Sequence, residues 1–487
     1  MLRPPTDKSL HTMNSKEVLD IFKEITTVPR ESGHEEKMVE WLRGWASKHS
    51  LACKVDKVGN VVIRREAAEG KEGVPAIVLQ AHMDMVCEKN DSSRHDFSHD
   101  PIHYEIKDGW MIAPDTTLGA DDGIGIAAAL ALLKDSTPTG PVECLFTISE
   151  ETNMDGAENI QEGFITGNTL VNLDSEDEGE LFIGCAGGLN TNAEFHFDTE
   201  SIRDGYQALQ LKVEGGLGGH SGDEINKGRA NAVQQLCRFL HEEFGNGMQL
   251  CSIAGGGKPN AIAREASAVV AVKDRCSTQK RFADFGSTLF QEFHVTDPGI
   301  CTSSSLVDTA VEAFDSVQAS RFIASMFACP HGVQAMSQDI GGLVQTSTNL
   351  AAIRPSSGNS LTVITSQRSP ARNERIALAH RVAACFELAG GKSEHLLEYP
   401  GWEPNPDSAI LKRTVKAYRK LFGQEPVVRA IHAGLECGLF LTKFPQLDMV
   451  SFGPTLRGVH APGEKMELAS LDKFVMLLDE TVKTFGE

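Results

Sequence analysis

An apolar run, Ala76-Ile77-Val78-Leu79, leads into Gln80-Ala81-His82-Met83-Asp84. Its length and β-branched content predict a buried strand, and period-two alternation turns His82 and Asp84 to the same side. An imidazole that holds a metal through one ring nitrogen needs an acceptor on the other, and a carboxylate two residues along supplies it. On its own a His-x-Asp pair also describes an ordinary polar strand end. Two more strand-like runs follow: Val142–Ile148 delivers Ser149-Glu150-Glu151, and Thr169–Leu173 delivers Asp174. Arg457-Gly458-Val459-His460 lies near the C-terminus. Between these, Thr117-Leu118-Gly119-Ala120-Asp121-Asp122-Gly123 opens an Ala- and Leu-rich helix. Glycines at a helix entrance suit a phosphate, but two adjacent aspartates repel one. Helix capping is the simpler structural role for aspartate there. Three strands that each end in a carboxylate or a histidine converge on the place where open α/β sheets carry their sites.

His82, Asp121, Glu151, Asp174 and His460 together offer two imidazoles and three carboxylates, all ligands that bind metal in neutral or anionic form. This donor mix suits zinc, with cobalt or manganese as substitutes. Five ligands exceed one tetrahedral ion and suit two ions roughly 3.5–4 Å apart that share a bridging carboxylate. Glu150, beside Glu151, is placed to take a proton from water and return it to a leaving amine. Neighbours on a strand face opposite ways, so the pair requires a turn. His95, His99 and His103 have helical spacing, but Asp100-Pro101 interrupts them, and they read as loop histidines.

The positioning elements can be read from the rest of the chain. Its 487 residues exceed one core and suggest about three units of roughly 150 residues. A composition of 41% hydrophobic and 23% charged residues is that of a globular protein. A net charge of −21 argues against nucleic acid and anionic lipid as partners. Eleven cysteines, scattered singly with no Cys-x-x-Cys, argue against a thiolate metal site and for a reducing, cytoplasmic location. No signal-peptide core and no membrane-length apolar run are visible. Val18, Ile21, Phe22 and Ile25 predict a helix that Pro29 ends; a second helix spans 34–46, and 55–64 reads as a hairpin turning at Gly59-Asn60. From about 191 the texture changes. A strand at 209–213, the stretch Gly215–Gly222 and a helix at 230–244 begin some 200 residues with no second acidic cluster. The first texture returns after Pro406, with a helix through Tyr418, a strand at 447–452 and a closing helix at 471–485. The expected organisation is an α/β/α sandwich in two parts, 1–190 and 400–487, interrupted by an inserted α+β domain at 191–399.

His82-Met83-Asp84, Gly119-Ala120-Asp121-Asp122-Gly123, Glu150-Glu151, Asp174-Ser175-Glu176 and Gly218-Gly219-His220-Ser221-Gly222, in that order, resemble the co-catalytic dinuclear zinc peptidases. That family includes aminoacylases, carnosinases and glutamate carboxypeptidases. Gly184-Cys185-Ala186-Gly187-Gly188, His432-Ala433-Gly434-Leu435-Glu436-Cys437-Gly438 and Asp448–Pro454 resemble its aminoacyl-histidine dipeptidase branch, and the likeness runs from about Leu19 to the last helix. The resemblance implies a zinc-peptidase-like catalytic domain with an inserted lid. It implies two Zn2+ per chain: His82 and Asp174 on one, Glu151 and His460 on the other, Asp121 bridging. Asp84 would orient His82, Glu150 would be the general base, and His220 of the lid would stabilise the oxyanion. Asn260, Arg264 and Arg368 would grip the substrate carboxylate, a task suited to the bidentate guanidinium fork. Gly434, with Leu435 and Glu436, would shape the pocket near the substrate amine. The implied substrate is a dipeptide, Xaa-His or carnosine-like, and the implied assembly a homodimer, with His220 acting within its own chain or across the dimer. The 121–122 bond would be cis, and Asp122 stands where relatives often carry asparagine. Two rivals accompany this reading: an amidohydrolase of N-acyl amino acids on the same scaffold, and a non-catalytic metal-dependent binding protein. The intact Glu150, Asp84 and five ligands speak against the second.

Overall fold

A computed structural model of the chain describes residues 13–307 and 312–486. It divides into two compact units: Met1–Gly184 with Pro404–Ala430 and Leu435–Glu487, and Cys185–Glu403 with Ile431–Gly434.

The first unit is built on an eight-stranded sheet. Its order is Ala52–Val55, Val61–Arg65, Val142–Thr147, Ile77–His82, Thr169–Asn172, Asp448–Ser451, Glu180–Cys185, Val427–Ile431. Ile77–His82 runs parallel to Val142–Thr147 and to Thr169–Asn172, and all six of its residues are buried. Parallel strands covered on both faces read as continuous apolar runs, which is why this segment shows no alternation. Helix Ser15–Ile25 starts from an Asn14 side chain that accepts the Glu17 N–H, and it buries Val18, Ile21, Phe22 and Ile25. Helix Ala120–Lys134 packs on Ile77–His82 and on Ser15–Ile25. It buries almost every residue, so it has no polar face to show amphipathic spacing. A small second sheet, Leu456–Arg457, Lys465–Glu467, Trp110–Ile112 and Glu105–Lys107, joins the segment around His460 to the one before Thr117.

The second unit carries an antiparallel sheet in the order Cys301–Leu306, Gln207–Glu214, Ala266–Val272, Gln249–Gly256, Val344–Pro355, Ser360–Ser369, Gly187–His196, Lys392–Tyr399, with Gly332–Met336 alongside Val344–Pro355. Helices Ala232–Phe244, Arg275–Phe293, Ser316–Ala328 and Arg372–Glu387 accompany it. Its core is rich in phenylalanine; Phe195 meets Phe322 edge-on at 4.9 Å between ring centroids. The expected breaks at 190/191 and 399/400 fall instead at 184/185 and 403/404. The cause is register: Gly187 already pairs with Ser369, and Trp402 exchanges backbone hydrogen bonds with Cys185. Ile431–Gly434, expected in the 400–487 part, belongs to the second unit, where Ala186 N–H donates to Ala433 O and His432 Nε2 lies 2.7 Å from Ser347 Oγ. Among the described residues no helix is long and apolar enough to cross a membrane.

Candidate metal centre

Three strand exits and two loops of the first unit bring His82, Asp121, Glu150, Glu151, Asp174 and His460 together. Their ligand atoms fall into three overlapping sets, each within 4.8 Å: His82–Asp121–Asp174, Asp121–Glu151–His460 and His82–Glu150–Glu151. Asp121 faces both ways. Its Oδ1 lies 2.9 Å from His82 Nε2, and its Oδ2 lies 3.2 Å from His460 Nε2. His82 Nε2 is also 3.6 Å from Asp174 Oδ1, and His460 Nε2 is 2.9 Å from Glu151. Ligand atoms of a tetrahedral zinc site lie roughly 3.2–3.5 Å apart, given metal–ligand distances near 2.0–2.1 Å. The donor set therefore fits two cations with Asp121 between them.

The local backbone explains these directions. Ser149 has a positive φ of 57°, so the chain turns and both Glu150 and Glu151 reach the cluster. Asp84 Oδ1 and Oδ2 accept the N–H groups of Glu150 and Glu151 at 3.0 and 3.1 Å, and Ser32 Oγ donates to Oδ2 at 2.7 Å. The same carboxylate lies 3.4 Å from His82 Nδ1, which is also 3.2 Å from Asp84 O. One buried residue thus fixes the imidazole and the turn that carries two glutamates. Glu35, also buried, accepts from the N–H and Oγ of Ser149. The Asp121–Asp122 bond is cis. Asp122 is buried, and its Oδ1 accepts the Gly125 N–H at 3.1 Å, so it caps the helix.

Behind the strand exits runs a buried polar belt. Asn172 donates to Gln80, Gln80 donates to Glu436, Thr147 Oγ1 donates to Glu436, and Ser451 donates to Asn172. Burial pushes the Glu436 carboxyl up to about 7.

The cluster is short of positive charge. Burial pushes Glu150 and Asp174 well above the carboxylate range, and neighbouring carboxylates add to it. Burial would lower His82, yet Asp174, Asp121 and Asp84 outweigh it and raise the imidazole well above its usual value. Hydrogen bonds donated to Asp121 and Glu151 push the His460 imidazole up to about 11. Burial would also raise Asp84, but His82, Ser32 and the Glu150 N–H hold it at about 2. Divalent cations supply what this group of acids lacks.

The remaining expected site residues lie in the second unit. His220 is partly exposed; its Nδ1 faces the N–H groups of Gly222 and Asp223 at 3.3 Å and the Asp223 carboxylate at 3.3 Å. Nε2 is then the nitrogen that can serve a ligand. Asn260 O accepts the Ser221 N–H, which keeps the Asn260 segment beside His220. Arg264 is exposed and donates to Gly216 O at 3.2 Å, bracing its own glycine-rich loop. Arg368 is buried and donates to Tyr399 OH at 3.0 Å; its Nε has no partner, and no carboxylate pairs with it among the described residues. Gly434 sits against the Tyr399 ring, where an added Cβ would come within 3.1 Å. His95, His99 and His103 join no metal-capable group among the described residues.

Arg30, Glu35 and Glu464 are residues of this neighbourhood that spacing did not reveal. Their partners are mostly main-chain atoms of distant loops, which leave no mark in a sequence.

The chain is similar to known proteins along nearly its whole length. The chain is 37% identical to the cytosol non-specific dipeptidase of Escherichia coli over 479 residues, 97% of this chain and 98% of that protein. The crystal structure of aminoacylhistidine dipeptidase from Vibrio alginolyticus superposes with a TM-score of 0.90 at 37% identity, covering 98% of each chain. Aminopeptidase PepT of Bacillus cereus, at 15% identity and a TM-score of 0.57 over 98% of this chain and 100% of that one, shares the fold. The profile of Peptidase family M20/M25/M40 matches residues 78–484, and the chain belongs to that metal-dependent family.

Proposed function

We propose that this M20-family enzyme is a dinuclear zinc dipeptidase that hydrolyses dipeptides with a C-terminal histidine, including carnosine-like ones. The observation that carries the reading is Asp121, whose two oxygens each meet a different imidazole, with Glu150 beside both ligand sets. Likeness to two dipeptidases over nearly the whole chain supports the substrate class. His82 and Asp174 would hold one ion and Glu151 and His460 the other, with Asp121 shared between the two ligand sets. Zinc fits the mixed imidazole and carboxylate donors, with Co2+ or Mn2+ as substitutes. Two ions bound there would supply Lewis acidity toward the scissile carbonyl and lower the pKa of water.

Glu150 takes the proton of the attacking water and returns it to the leaving amine. Burial and acidic neighbours raise its basicity, which favours proton uptake. Asp84 keeps His82 in one orientation and holds the Glu150 turn. His220 donates from Nε2 to the carbonyl oxygen as charge develops there. Arg368 binds the substrate carboxylate, with Asn260 and Arg264 in support, and Gly434 shapes the room for the amine. The second unit acts as the lid, and the enzyme works as a homodimer in the cytoplasm.

A substrate panel tests this directly: β-alanyl-histidine, glycyl-histidine, dipeptides without histidine, and N-acyl amino acids, each with the zinc-loaded enzyme. Fastest cleavage of Xaa-His is the expected result. Preference for dipeptides without histidine would remove the specificity claim, and cleavage of N-acyl amino acids alone would replace the dipeptidase reading with an amidohydrolase.

A further inference from the structure

Four consecutive main-chain N–H groups at the entrance of helix Ala120–Lys134 end on one buried side chain. Leu118 N and Gly119 N donate to Glu464 Oε2 at 2.7 and 2.9 Å; Ala120 N and Asp121 N donate to Oε1 at 2.8 and 3.4 Å. A carboxylate offers about four acceptor positions, so this one is fully used. Glu464 is 2% exposed.

The counter-charge is as unusual. Arg30 is buried, and it spends its donors on main-chain carbonyls: Met83 O at 3.1 Å, Asp84 O at 2.8 Å, and Gly119 O. Gly119 has a φ of 68°, and a Cβ there would come within 2.5 Å of Arg30 Nη2 and 2.8 Å of Met85 Sδ. Only glycine meets both conditions. Arg30 therefore ties the loop after His82 to the loop before Asp121. Glu464 ties that second loop to the segment that carries His460 four residues earlier. The backbone strengthens the join, since Ala113 N donates to Glu464 O and Gly463 N to Ala113 O.

Charges this deeply buried usually meet one another or a ligand. Here they meet loop main chain, at the three loops that deliver His82, Asp121 and His460. We propose that Glu464 is a positioning residue for the metal centre: by gathering the N–H groups of residues 118–121 it sets the distance between Asp121 and His460, with Arg30 setting that between Asp121 and His82. The inference rests on the metal-centre reading above and adds to it a residue that touches neither metal nor substrate. Without the carboxylate, four buried donors lose their acceptor and the loop must move to recover hydrogen bonds. Asp121 moves with it, and both ligand sets contain Asp121.

The test is zinc affinity, measured by competition with a chromophoric chelator on the apo full-length chain. Glu464→Gln keeps the size of the side chain but turns an NH2 toward two of the four donors. The expected result is a zinc Kd raised by about 10- to 100-fold, the range seen when outer-shell partners of ligands are lost. Val475→Ala, a core change in helix Leu468–Lys483, serves as the destabilised control: the expected zinc Kd is that of the wild type. If Glu464→Gln does not fold, judged by far-UV circular dichroism, Glu464→Asp is read in its place and must show the same selective loss. Unchanged zinc affinity in a folded Glu464 variant overturns the proposal, and so does an equal loss in Val475→Ala. Hydrolysis is scored separately. A wild type that binds two zinc ions and cleaves no dipeptide overturns the proposed function, while the affinity comparison still decides the role of Glu464.

Discussion

The unsatisfied buried atoms beside the acidic cluster of the first unit and beside Arg368 in the second differ in kind. Around the acidic cluster of the first unit the unpartnered buried atoms are carboxylate oxygens, Asp122 Oδ2 and Glu436 Oε1. Around Arg368 and His220 in the second they include the guanidinium Nε of Arg368 and the hydroxyl of Ser221. Buried polar groups are normally paired, so each set describes what it is built to receive. Excess acceptors among crowded acids call for cations. The unpartnered Nε of buried Arg368 suits an anion, the role proposed for it toward the terminal carboxylate of a peptide. The contrast extends to bracing. Asp84, Glu35, Arg30 and Glu464 fix the loops of the first cluster through their main chain. Arg368 is steadied chiefly by one phenol, that of Tyr399.

The contrast breaks most visibly at Arg368. Arg368→Ala should lower kcat/KM for Xaa-His dipeptides by about 30-fold to several thousand-fold, the cost of leaving a charge unpaired at 2–5 kcal/mol. The loss should lie mostly in KM, with zinc stoichiometry unchanged; a parallel loss of zinc would show that Arg368 serves the metal centre instead.

Acid should weaken the second unit through its buried imidazoles. Burial holds His432 at about 3 and His331 at about 4, against an ordinary 6.5. Between pH 6.5 and 4 an unfolded chain takes up protons that the folded one refuses, so stability falls as pH falls through that window. At pH 5 each histidine accounts for up to about 2 kcal/mol. Thermal unfolding at pH 7 and pH 5 should therefore show a smaller acid drop in His432→Asn than in the wild type. An equal drop would mean that His432 is free to protonate in the folded protein.

Tyr399→Phe should have the smallest effect. It removes one acceptor from Arg368, a hydrogen bond worth about 0.5–1.5 kcal/mol, or roughly a 2- to 12-fold rise in KM. A fall in kcat with KM unchanged would place the phenol in the chemical step.

The legible part of the molecule is the part whose signal is local. Ile77–His82 reads as a strand because parallel neighbours bury it on both sides, and the chemistry at its end stands out for the same reason. Ser15–Ile25 shows its apolar stripe because its other face meets solvent. The requirement for a turn at Glu150-Glu151 follows from strand geometry alone, and the left-handed Ser149 provides it. Nothing local announces Glu464, whose Ala120 partner lies 344 residues away and is a backbone amide. The return of Ile431–Gly434 to the second unit is equally silent in sequence, since it depends on the pairing of His432 with Ser347 and of Ala433 with Ala186.

The measurement that tests the central claim most directly is a zinc titration of the apo wild type and of Glu150→Gln, with hydrolysis of β-alanyl-histidine followed at each point. Two zinc ions per chain are expected in both proteins, with wild-type activity that appears with zinc and vanishes on chelation, and a turnover at least about 100-fold lower in the variant. A Glu150→Gln enzyme of near wild-type turnover, or a wild type fully active with zinc chelated away, would contradict it.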